Sequence, residues 1–212
     1  MTADDHSMTY AIGDLHGEVT LLRRLLATLP FRSQDTLVCL GDYLDRGEDS
    51  IATIRELIAL QKRHQRSVFL RGNHEDAWLE HWNGTKFTAP PDMPGALDIW
   101  DQCDGRIPFE IGDWLERTYI AYEDEYAYYM HAGALPKKPV ERASDFVKMW
   151  GSKGFLESTY DWGKPLVFGH WKLKEPLLQP NKIGIDTGAY KNGILTAVRL
   201  PDRQIFQARR EE

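Results

Sequence analysis

The stretch "VFLRGNHED", residues 68–76, places an amide, an imidazole and two carboxylates directly after a short apolar run. Burying an unpaired polar group costs roughly 2–7 kcal/mol, so these four side chains cannot all enter a dry core without partners. A surface turn is the simpler interpretation of the stretch. The alternative is a functional loop at the end of a strand, and the surrounding sequence has to decide between them.

Before this stretch the apolar pattern alternates between helix and strand. A helical period follows Gly17 and ends at Pro30, and a second begins at Ser50, which we expect to cap it. The short apolar runs "TLVCL" at 36–40 and "VFL" at 68–70 are typical of strands buried on both faces. The order β-α-β-α-β predicts a parallel sheet covered by helices.

The second half of the chain has a different pattern. Residues 76–118 carry four tryptophans and little strand pattern, so we predict a mostly helical insertion there. From Tyr119 onward the strand pattern returns in six segments separated by turn residues, which predicts a second sheet packed on the first. A length of 212 residues suits a single domain, so we expect one domain over residues 1–212 that contains this insertion.

The composition is that of a globular protein, with 42% hydrophobic and 27% charged residues. The net charge of -6 disfavours nucleic acid and anionic membrane as partners. Cys39 and Cys103 form no CxxC pair, and the sequence shows neither a leader pattern nor an apolar run long enough to span a membrane. We therefore expect a cytoplasmic location.

Five predicted strands are each followed at once by polar residues. These clusters are "GDLHG" at 13–17, "GDYLDRG" at 41–47, "RGNHE" at 71–75, "HAG" at 131–133 and "GH" at 169–170. Ligands of open α/β sheets bind at the carboxyl ends of the strands, so we expect the five clusters to converge at one edge.

The clusters together supply six nitrogen and oxygen donors: Asp14, His16, Asp42, Asn73, His131 and His170. Taken singly, a histidine behind a strand is more often a packing residue than a ligand. Six donors are too many for one tetrahedral metal and suit two ions with one bridging carboxylate, for which we choose Asp42. The joint pattern favours a metal site.

The motifs "GDLHG", "GDYLDRG", "LRGNHE", "HAG", "FGH" and "IDTGA" resemble the series found in the calcineurin-like metallophosphoesterases. They are most similar to the phosphoprotein phosphatase branch with its small bacterial and phage serine/threonine phosphatases. The resemblance implies an α/β fold in four layers (α+β four-layer), a β-sandwich of two mixed sheets flanked by helices.

The resemblance also implies a dinuclear metal site. Asp14, His16 and Asp42 would hold the first ion, and Asp42, Asn73, His131 and His170 would hold the second. Manganese is the expected metal, with iron or zinc as alternatives, because mixed nitrogen and oxygen ligation suits all three.

The expected reaction is hydrolysis of phosphoserine or phosphothreonine by direct attack of a hydroxide that bridges the two metals. His74 is assigned as the general acid that protonates the leaving group, and Asp45 as the carboxylate that fixes its tautomer. Arg46 would contact two phosphoryl oxygens with its planar guanidinium, and Asn73 would contribute to phosphate binding.

One position departs from that branch, which usually carries a second phosphate-binding arginine after a tryptophan. The corresponding stretch here reads "MWGSKG", residues 149–154, and contains no arginine. Lys153 is the candidate replacement, although a lysine cannot make a bidentate contact. The substrate preference is therefore open at this point.

Two other functions compete with the protein phosphatase. A dinucleoside polyphosphate hydrolase, or another small-molecule phosphoesterase, would share the metal motifs. We rank it second because its symmetrical branch typically has "ARG" where this chain has Asp45-Arg46-Gly47, and "GNHD" where this chain has Glu75. A non-enzymatic binding module is disfavoured because no expected donor is missing. The expected partner is a phosphorylated protein or a small phosphoester; the oligomeric state stays open.

Overall fold

The computed structural model of the protein describes residues 7–211. In chain order the strands are β1 (Thr9–Ile12), β2 (Thr36–Cys39), β3 (Ser67–Phe69), β4 (Ala121–Glu123), β5 (Tyr128–Met130), β6 (Leu166–Phe168), β7 (Leu177–Leu178), β8 (Lys182–Gly184), β9 (Ile194–Leu200) and β10 (Gln204–Arg209). The helices are α1 (Val19–Thr28), α2 (Ser50–Arg63), α3 (Asn73–Leu79), α4 (Ala96–Gln102), α5 (Phe109–Glu116), α6 (Asp145–Trp150) and α7 (Ala189–Asn192), with a 3₁₀ turn at Val140–Arg142. Within residues 7–211, none of these helices has the length and apolarity that a membrane span requires.

The strands form two mixed five-stranded sheets. The first has the order β10-β9-β1-β2-β3, in which β1, β2 and β3 run parallel as the sequence predicted. The second has the order β4-β5-β6-β8-β7, in which β5, β6 and β8 are parallel. Both sheets therefore present several strand carboxyl ends in one direction, which is the requirement for a shared site.

Successive side chains of a strand point to opposite faces of the sheet, and this alternation holds the layers together. Along β1, Tyr10 and Ile12 pack into the cluster that contains the apolar faces of α1 and α2. Ala11, between them, faces the other way and joins Val167 and Ile183 of the second sheet. Helices thus cover the first sheet while the second sheet packs on its other face, and this arrangement confirms the predicted sandwich of two mixed sheets flanked by helices.

The start of α2 differs from the prediction by one residue. Asp49, not Ser50, caps the helix, because the Asp49 carboxylate accepts the N–H of Ala52 at 2.8 Å. Ser50 is the first helical residue, and its hydroxyl instead accepts the N–H of Asp45 at 2.9 Å. The serine therefore fixes the loop that follows β2 rather than the helix end.

The segment 76–118 contains the end of α3 and all of α4 and α5. Trp78 and Trp114 are buried in the same cluster as α1 and α2, so this segment completes the core rather than lying apart from it. Its bounds as an insertion, and the single domain over 1–212, stay predictions; residues 1–6 and 212 lie outside the described part of the chain.

Candidate metal centre

The Asp42 carboxylate lies between histidines from both sheets. Its Oδ2 is 3.4 Å from Nε2 of His16, which follows β1. Its Oδ1 is 3.3 Å from Nε2 of His131, which follows β5 in the second sheet. Residues far apart in sequence therefore meet at the facing edges of the two sheets, where the strand order predicts a site.

A second group of donors surrounds the Asn73 side chain at the first residue of α3. Its Oδ1 lies 2.9 Å from Nδ1 of His170 and 3.1 Å from Nε2 of His131. Asn73 is buried, and its amide oxygen points towards two imidazoles rather than into a turn. The surface-turn interpretation of "RGNHED" is therefore wrong.

Backbone carbonyls fix the tautomers of two of these histidines. Nδ1 of His16 lies 3.0 Å from the Leu44 carbonyl, and Nδ1 of His131 lies 2.9 Å from the Leu40 carbonyl. A carbonyl oxygen only accepts, so each Nδ1 carries the hydrogen and each Nε2 presents a lone pair to the site. Burial lowers the pKa of His16 to about 3 and also lowers that of His131, which keeps both rings neutral.

The donor set fits a metal because several of its nitrogen and oxygen atoms turn lone pairs, and no hydrogen, towards one another. The Nε2 lone pair of His131 faces Oδ1 of Asn73 and Oδ1 of Asp42, and none of these atoms carries a hydrogen to share. Such a cluster repels itself unless a cation lies between the atoms. Donors bound to one ion at roughly 2.0–2.2 Å lie about 3 Å apart, as these do.

Two groups of possible ligands share the Asp42 carboxylate. They are His16, Asp42 and His74 on one side and Asp42, His131 and His170 on the other, each with ligand atoms within 4.8 Å of one another. Burial alone would raise the pKa of Asp42, but the charge of the protonated His74 beside it acts in the opposite direction, and the pKa lies below its ordinary value. Asp42 is thus an ionised carboxylate between two donor groups, where we predicted the bridge.

Asp14 lies beside these groups without belonging to either. Its carboxylate accepts the backbone N–H of His170 at 3.1 and 3.0 Å, and a side chain at Gly169 would collide with it. Burial, with the neighbouring carboxylates Asp186 and Asp42, raises the pKa of Asp14 well above its ordinary value. Clustered buried carboxylates also call for a cation, and the role of Asp14 as a ligand stays a prediction.

Asp186 is a site residue that the sequence analysis did not single out. It is buried after β8, and its Oδ1 accepts the N–H of Gly188 at 2.8 Å. Burial raises its pKa to about 6, and Asp42 adds to the effect. The signal was present in "IDTGA", which is another strand followed by a carboxylate and a glycine.

His74 occupies the side of Asp42 away from His131. Its Nδ1 lies 2.6 Å from Oδ2 of Asp45, whose other oxygen accepts the indole N–H of Trp78 at 3.0 Å. Its Nε2 is buried, lies 4.0 Å from Oδ2 of Asp42, and has no hydrogen-bond partner in the described structure. Burial disfavours the charged imidazole, but Asp42 and Asp45 outweigh that cost and raise the pKa of His74.

Glu75 connects the two loops that carry Asp42 and His74. Its carboxylate accepts the N–H groups of Asp42 at 2.7 Å, Tyr43 at 2.8 Å and Gly72 at 2.8 Å. The bond from Gly72 is half of a capping box at the start of α3. Glu75 therefore supports the site through the backbone and does not point into it.

The backbone of the site is strained in a consistent way. Among residues 7–211, eight non-glycine residues have a positive φ, and five of them belong to the predicted site: His16, Asp42, Asp45, Arg46 and His170. Each such conformation costs of order 1–3 kcal/mol and persists only where the surrounding structure enforces it. The fold holds these side chains at the expense of stability.

Of the two predicted phosphate-binding cations, only Arg46 reaches the donor groups. Its Nη1 is 3.3 Å from Nε2 of His16, and its guanidinium lies 5.1 Å from the ring centre of Tyr190. Lys172, which the sequence analysis missed, lies 5.3 Å from the same ring centre. Lys153 is exposed on a turn after α6, with no hydrogen bond or ion pair to any described residue, and its phosphate role stays a prediction.

Two stacked sheets whose strand ends gather two donor groups around one carboxylate, with a buried imidazole beside them, define a metallophosphoesterase. Residues 8–174 match the model of the family described as calcineurin-like phosphoesterase, and the chain belongs to that family. The family prediction is confirmed. The assignments of single residues to metal, acid or phosphate stay predictions.

Similar proteins cover nearly the whole chain. A symmetrical bis(5'-nucleosyl)-tetraphosphatase of Dechloromonas aromatica (strain RCB) is 28% identical over 94% of this chain and 95% of its own length. An asymmetrical bis(5'-nucleosyl)-tetraphosphatase of Anoxybacillus flavithermus (strain DSM 21510 / WK1) is 26% identical over 91% of this chain and 90% of its own length.

Solved structures share the fold. A candidate diadenosine tetraphosphatase superimposes with a TM-score of 0.74 at 22% identity, covering 100% of this chain and 97% of its own. A protein serine/threonine phosphatase of Saccharomyces cerevisiae gives a TM-score of 0.66 at 14% identity, covering 100% of this chain and 82% of its own. At these identities the likeness concerns the fold alone.

Proposed function

We propose that the protein is a metal-dependent hydrolase of dinucleoside polyphosphates, with diadenosine tetraphosphate as the first substrate to test. The relatives named for this activity align over nine tenths or more of both chains. That support moves the second-ranked alternative of the sequence analysis ahead of phosphoserine and phosphothreonine hydrolysis. The substrate is then a small molecule rather than a phosphorylated protein.

The similar dinucleoside polyphosphate hydrolases support the choice of substrate, and the observation that supports hydrolysis itself is the unpartnered Nε2 of His74. With the ring protonated, this atom holds a proton that no described residue accepts, beside the carboxylate shared by both donor groups. Asp45 fixes the ring by accepting from Nδ1 at 2.6 Å. We therefore propose that His74 protonates the leaving oxygen as the general acid.

The two donor groups support an assignment of metal ligands in which His74 is kept as the acid and Asp14 and Asn73 are added. His16 and Asp42, with Asp14 beside them, would hold one ion, and Asp42, Asn73, His131 and His170 would hold the other. Bound divalent ions lower the pKa of a water ligand towards 7 and polarise a phosphoryl oxygen. Neutral imidazoles and carboxylates suit manganese, iron and zinc, and we propose manganese from the family resemblance.

Arg46 would orient the phosphate chain of the substrate. Its side chain is exposed at the rim, and its guanidinium lies over Tyr190 next to His16. A planar guanidinium binds two oxygens of one phosphate at once, which positions the reacting phosphorus. Lys172, on the same tyrosine, adds a second positive charge to this side of the site.

The products report which bond is cut. Water adds across one P–O–P linkage, so a central cut of diadenosine tetraphosphate gives two diphosphates, whereas an outer cut gives a triphosphate and a monophosphate. We would incubate the full chain with Mn²⁺, Fe²⁺ or Zn²⁺ and separate the nucleotides by chromatography. We expect complete conversion to one of these product sets, abolished by a chelator.

The control substrates are a phosphoserine peptide and p-nitrophenyl phosphate at equal concentration. We expect kcat/KM for diadenosine tetraphosphate to exceed that for the peptide by at least ten-fold. Turnover of the peptide with none of the dinucleotide would overturn the proposal and restore the phosphatase interpretation.

Phosphomonoester hydrolysis is the second candidate because of the His74 and Asp45 pair. A serine alkoxide is a much poorer leaving group than a nucleotide phosphate, so a buried and raised-pKa acid benefits it most. The comparison of substrates above separates the two candidates.

A further inference from the structure

A groove of about 380 Å³ opens beside His170 and is lined by two tryptophans, Trp150 and Trp171, and by Lys153. We propose that this groove binds one nucleobase of the substrate by stacking on the indole rings, with Lys153 contacting an adjacent phosphate. The inference rests on the proposed function, because it assumes that the substrate is a nucleotide.

Trp171 links the groove to the second donor group. Trp171 follows His170 directly, and the two rings meet edge to face with centroids 5.2 Å apart. The Trp171 indole N–H donates to the carbonyl of Ala132, the residue after His131, at 3.0 Å. A phosphate held near these histidines would therefore leave its nucleoside within reach of the groove.

The aromatic surface is fixed in advance of binding. The Trp150 indole N–H donates to Oδ2 of Asp76 at 2.8 Å, and its ring stacks on Phe146 at an interplanar angle of 10° with centroids 5.8 Å apart. A Cβ at Gly151 would lie only 2.6 Å from the Trp171 ring, so that glycine makes room for it. Rings that are already held lose little entropy when a base stacks on them.

The groove is lined by one cation, Lys153, and one exposed carboxylate, Glu157, so its aromatic rings rather than its net charge suit a nucleotide. Every base presents a π face, so stacking on aromatic side chains needs no base-specific hydrogen bond. Lys153 is exposed at the same groove and makes no hydrogen bond or ion pair within residues 7–211. An ammonium group beside an aromatic platform is complementary to a base that carries a phosphate.

A larger cavity of about 640 Å³ on the Arg46 side is less suited to the base. Its one aromatic ring, Tyr190, already has Arg46 and Lys172 over it. Its other cations are engaged as well, since Arg210 pairs with Glu18 at 2.7 Å. This cavity is polar and charged, so the observations favour the tryptophan groove for the base.

Binding can be measured without turnover by calorimetry on the full chain, both as purified and loaded with Mn²⁺. The probes are adenosine 5'-(α,β-methylene)diphosphate, which resists hydrolysis, and methylenediphosphonate, which has the same phosphonates without the nucleoside. We expect the nucleotide analogue to bind at least ten-fold more tightly. Equal affinities for the two probes would overturn the proposal.

Two substitutions at one position separate stacking from the Asp76 hydrogen bond. Trp150→Leu removes both, whereas Trp150→Phe removes the hydrogen bond and keeps an aromatic face. We expect Trp150→Leu to abolish the difference between the probes and Trp150→Phe to retain most of it. If Trp150→Leu retains the difference, the base lies elsewhere and the proposal is wrong.

Turnover gives a second readout. Trp150→Leu should lower the ratio of kcat/KM for diadenosine tetraphosphate to that for p-nitrophenyl phosphate at least ten-fold, mainly through KM. Phe109→Leu changes an exposed aromatic residue of α5 that does not line the groove, and should leave the ratio unchanged. If the protein binds the nucleotide analogue but does not cleave the dinucleotide, the proposed function is wrong and base binding in the groove still holds. Failure of the proposed function can therefore be told apart from failure of the groove proposal.

Discussion

Nδ1 of His74 lies 2.6 Å from Oδ2 of Asp45, and both side chains are completely buried. The bond determines which ring nitrogen faces the site, because Nδ1 is occupied and Nε2 remains next to Asp42. The ring cannot rotate to offer Nδ1 instead without losing its bond to Oδ2 of Asp45, whose other oxygen is already bonded to Trp78. The pair therefore fixes both the position and the charge of the candidate acid.

Replacing His74 by asparagine should slow turnover according to the leaving group. With no proton to donate, His74→Asn should lose about 10²–10⁴-fold in kcat for substrates with poor leaving groups. The loss should be smallest for p-nitrophenyl phosphate, whose leaving group needs little protonation. The measurement uses a series of aryl phosphates whose leaving phenols have increasing pKa. The logarithm of kcat should fall more steeply with the phenol pKa in the variant than in the wild type.

The control for that series is His81→Asn, the same chemical change on a histidine outside the site. It should leave the slope and kcat unchanged. Metal content, measured by elemental analysis, should be equal in both variants. A uniform loss across all leaving groups would show that His74 acts in some way other than as the acid.

Asp42→Asn should cost the protein its metal. The Asp42 carboxylate is the one member common to both donor groups, and its ionised form is stabilised by the surrounding imidazoles. An amide lacks that charge and turns one donor oxygen into an N–H group. We expect less than a tenth of the wild-type Mn²⁺ content after gel filtration, and no turnover.

The matched change Asp98→Asn alters an exposed carboxylate of α4 and should bind metal as the wild type does. Circular dichroism of both variants checks that the fold is retained. Full metal content in Asp42→Asn would remove Asp42 from its assigned place between the ions.

The donor residues could be predicted because each follows a short apolar run. Parallel strands end at the same edge of a sheet, so Asp42 and His131 could be expected to lie close together without knowledge of the loops, and their side chains are 3.3 Å apart. Asp14 shows the limit of that argument. Its carboxylate orientation depends on the backbone at His170, which is a tertiary contact that sequence spacing does not encode.

Short elements and buried charges were harder to predict. The six residues of α6 and the two of β7 are too few to show a period, so neither was predicted. Lys182 lies in a strand whose other residues are mostly apolar, and the sequence gives no reason for a buried lysine there. The carbonyls that bind its ammonium group come from residues 155–158, which only the fold brings close. The groove at Trp150 is likewise formed by chain segments that only the fold brings together.

Lys182→Met should destabilise the protein. The fully buried ammonium donates to the carbonyls of Phe155 at 3.0 Å, Leu156 at 2.6 Å and Ser158 at 2.6 Å. Methionine fills similar space but leaves these acceptors unpaired, at about 1–3 kcal/mol for each one that stays dry. At about 2–4 °C per kcal/mol for a chain of this length, we expect the Tm to fall by roughly 2–12 °C for each carbonyl that stays dry, measured by differential scanning calorimetry.

The comparison for this change is Lys86→Met, an exposed lysine whose side chain should contribute little. Its Tm should stay within about 2 °C of wild type. Equal Tm values for the two variants would mean that water reaches the carbonyls once Lys182 is gone.

The environment of Asp35 predicts that the folded protein loses stability in acid. Its buried carboxylate accepts the backbone N–H of Met8 at 2.9 Å and of Arg32 at 2.7 Å, with the Arg32 side chain at 3.2 Å. Burial alone would raise the pKa of Asp35, but these bonds outweigh it and lower the pKa. A carboxyl whose pKa is lower in the folded state stabilises the protein above its unfolded pKa of about 3.9, and that contribution disappears as the pH falls through the folded value.

Asp35→Asn should therefore lower the free energy of unfolding by about 1–3 kcal/mol at pH 7, because its amide turns N–H groups towards N–H donors. The difference from wild type should stay constant between pH 7 and pH 5 and narrow below about pH 4, where the wild-type carboxylate itself becomes protonated. Urea unfolding across this range measures it. Asp98→Asn, exposed on α4, should show no such narrowing, and a difference for Asp35→Asn that persisted unchanged to pH 3 would show that the charge of Asp35 contributes nothing to stability.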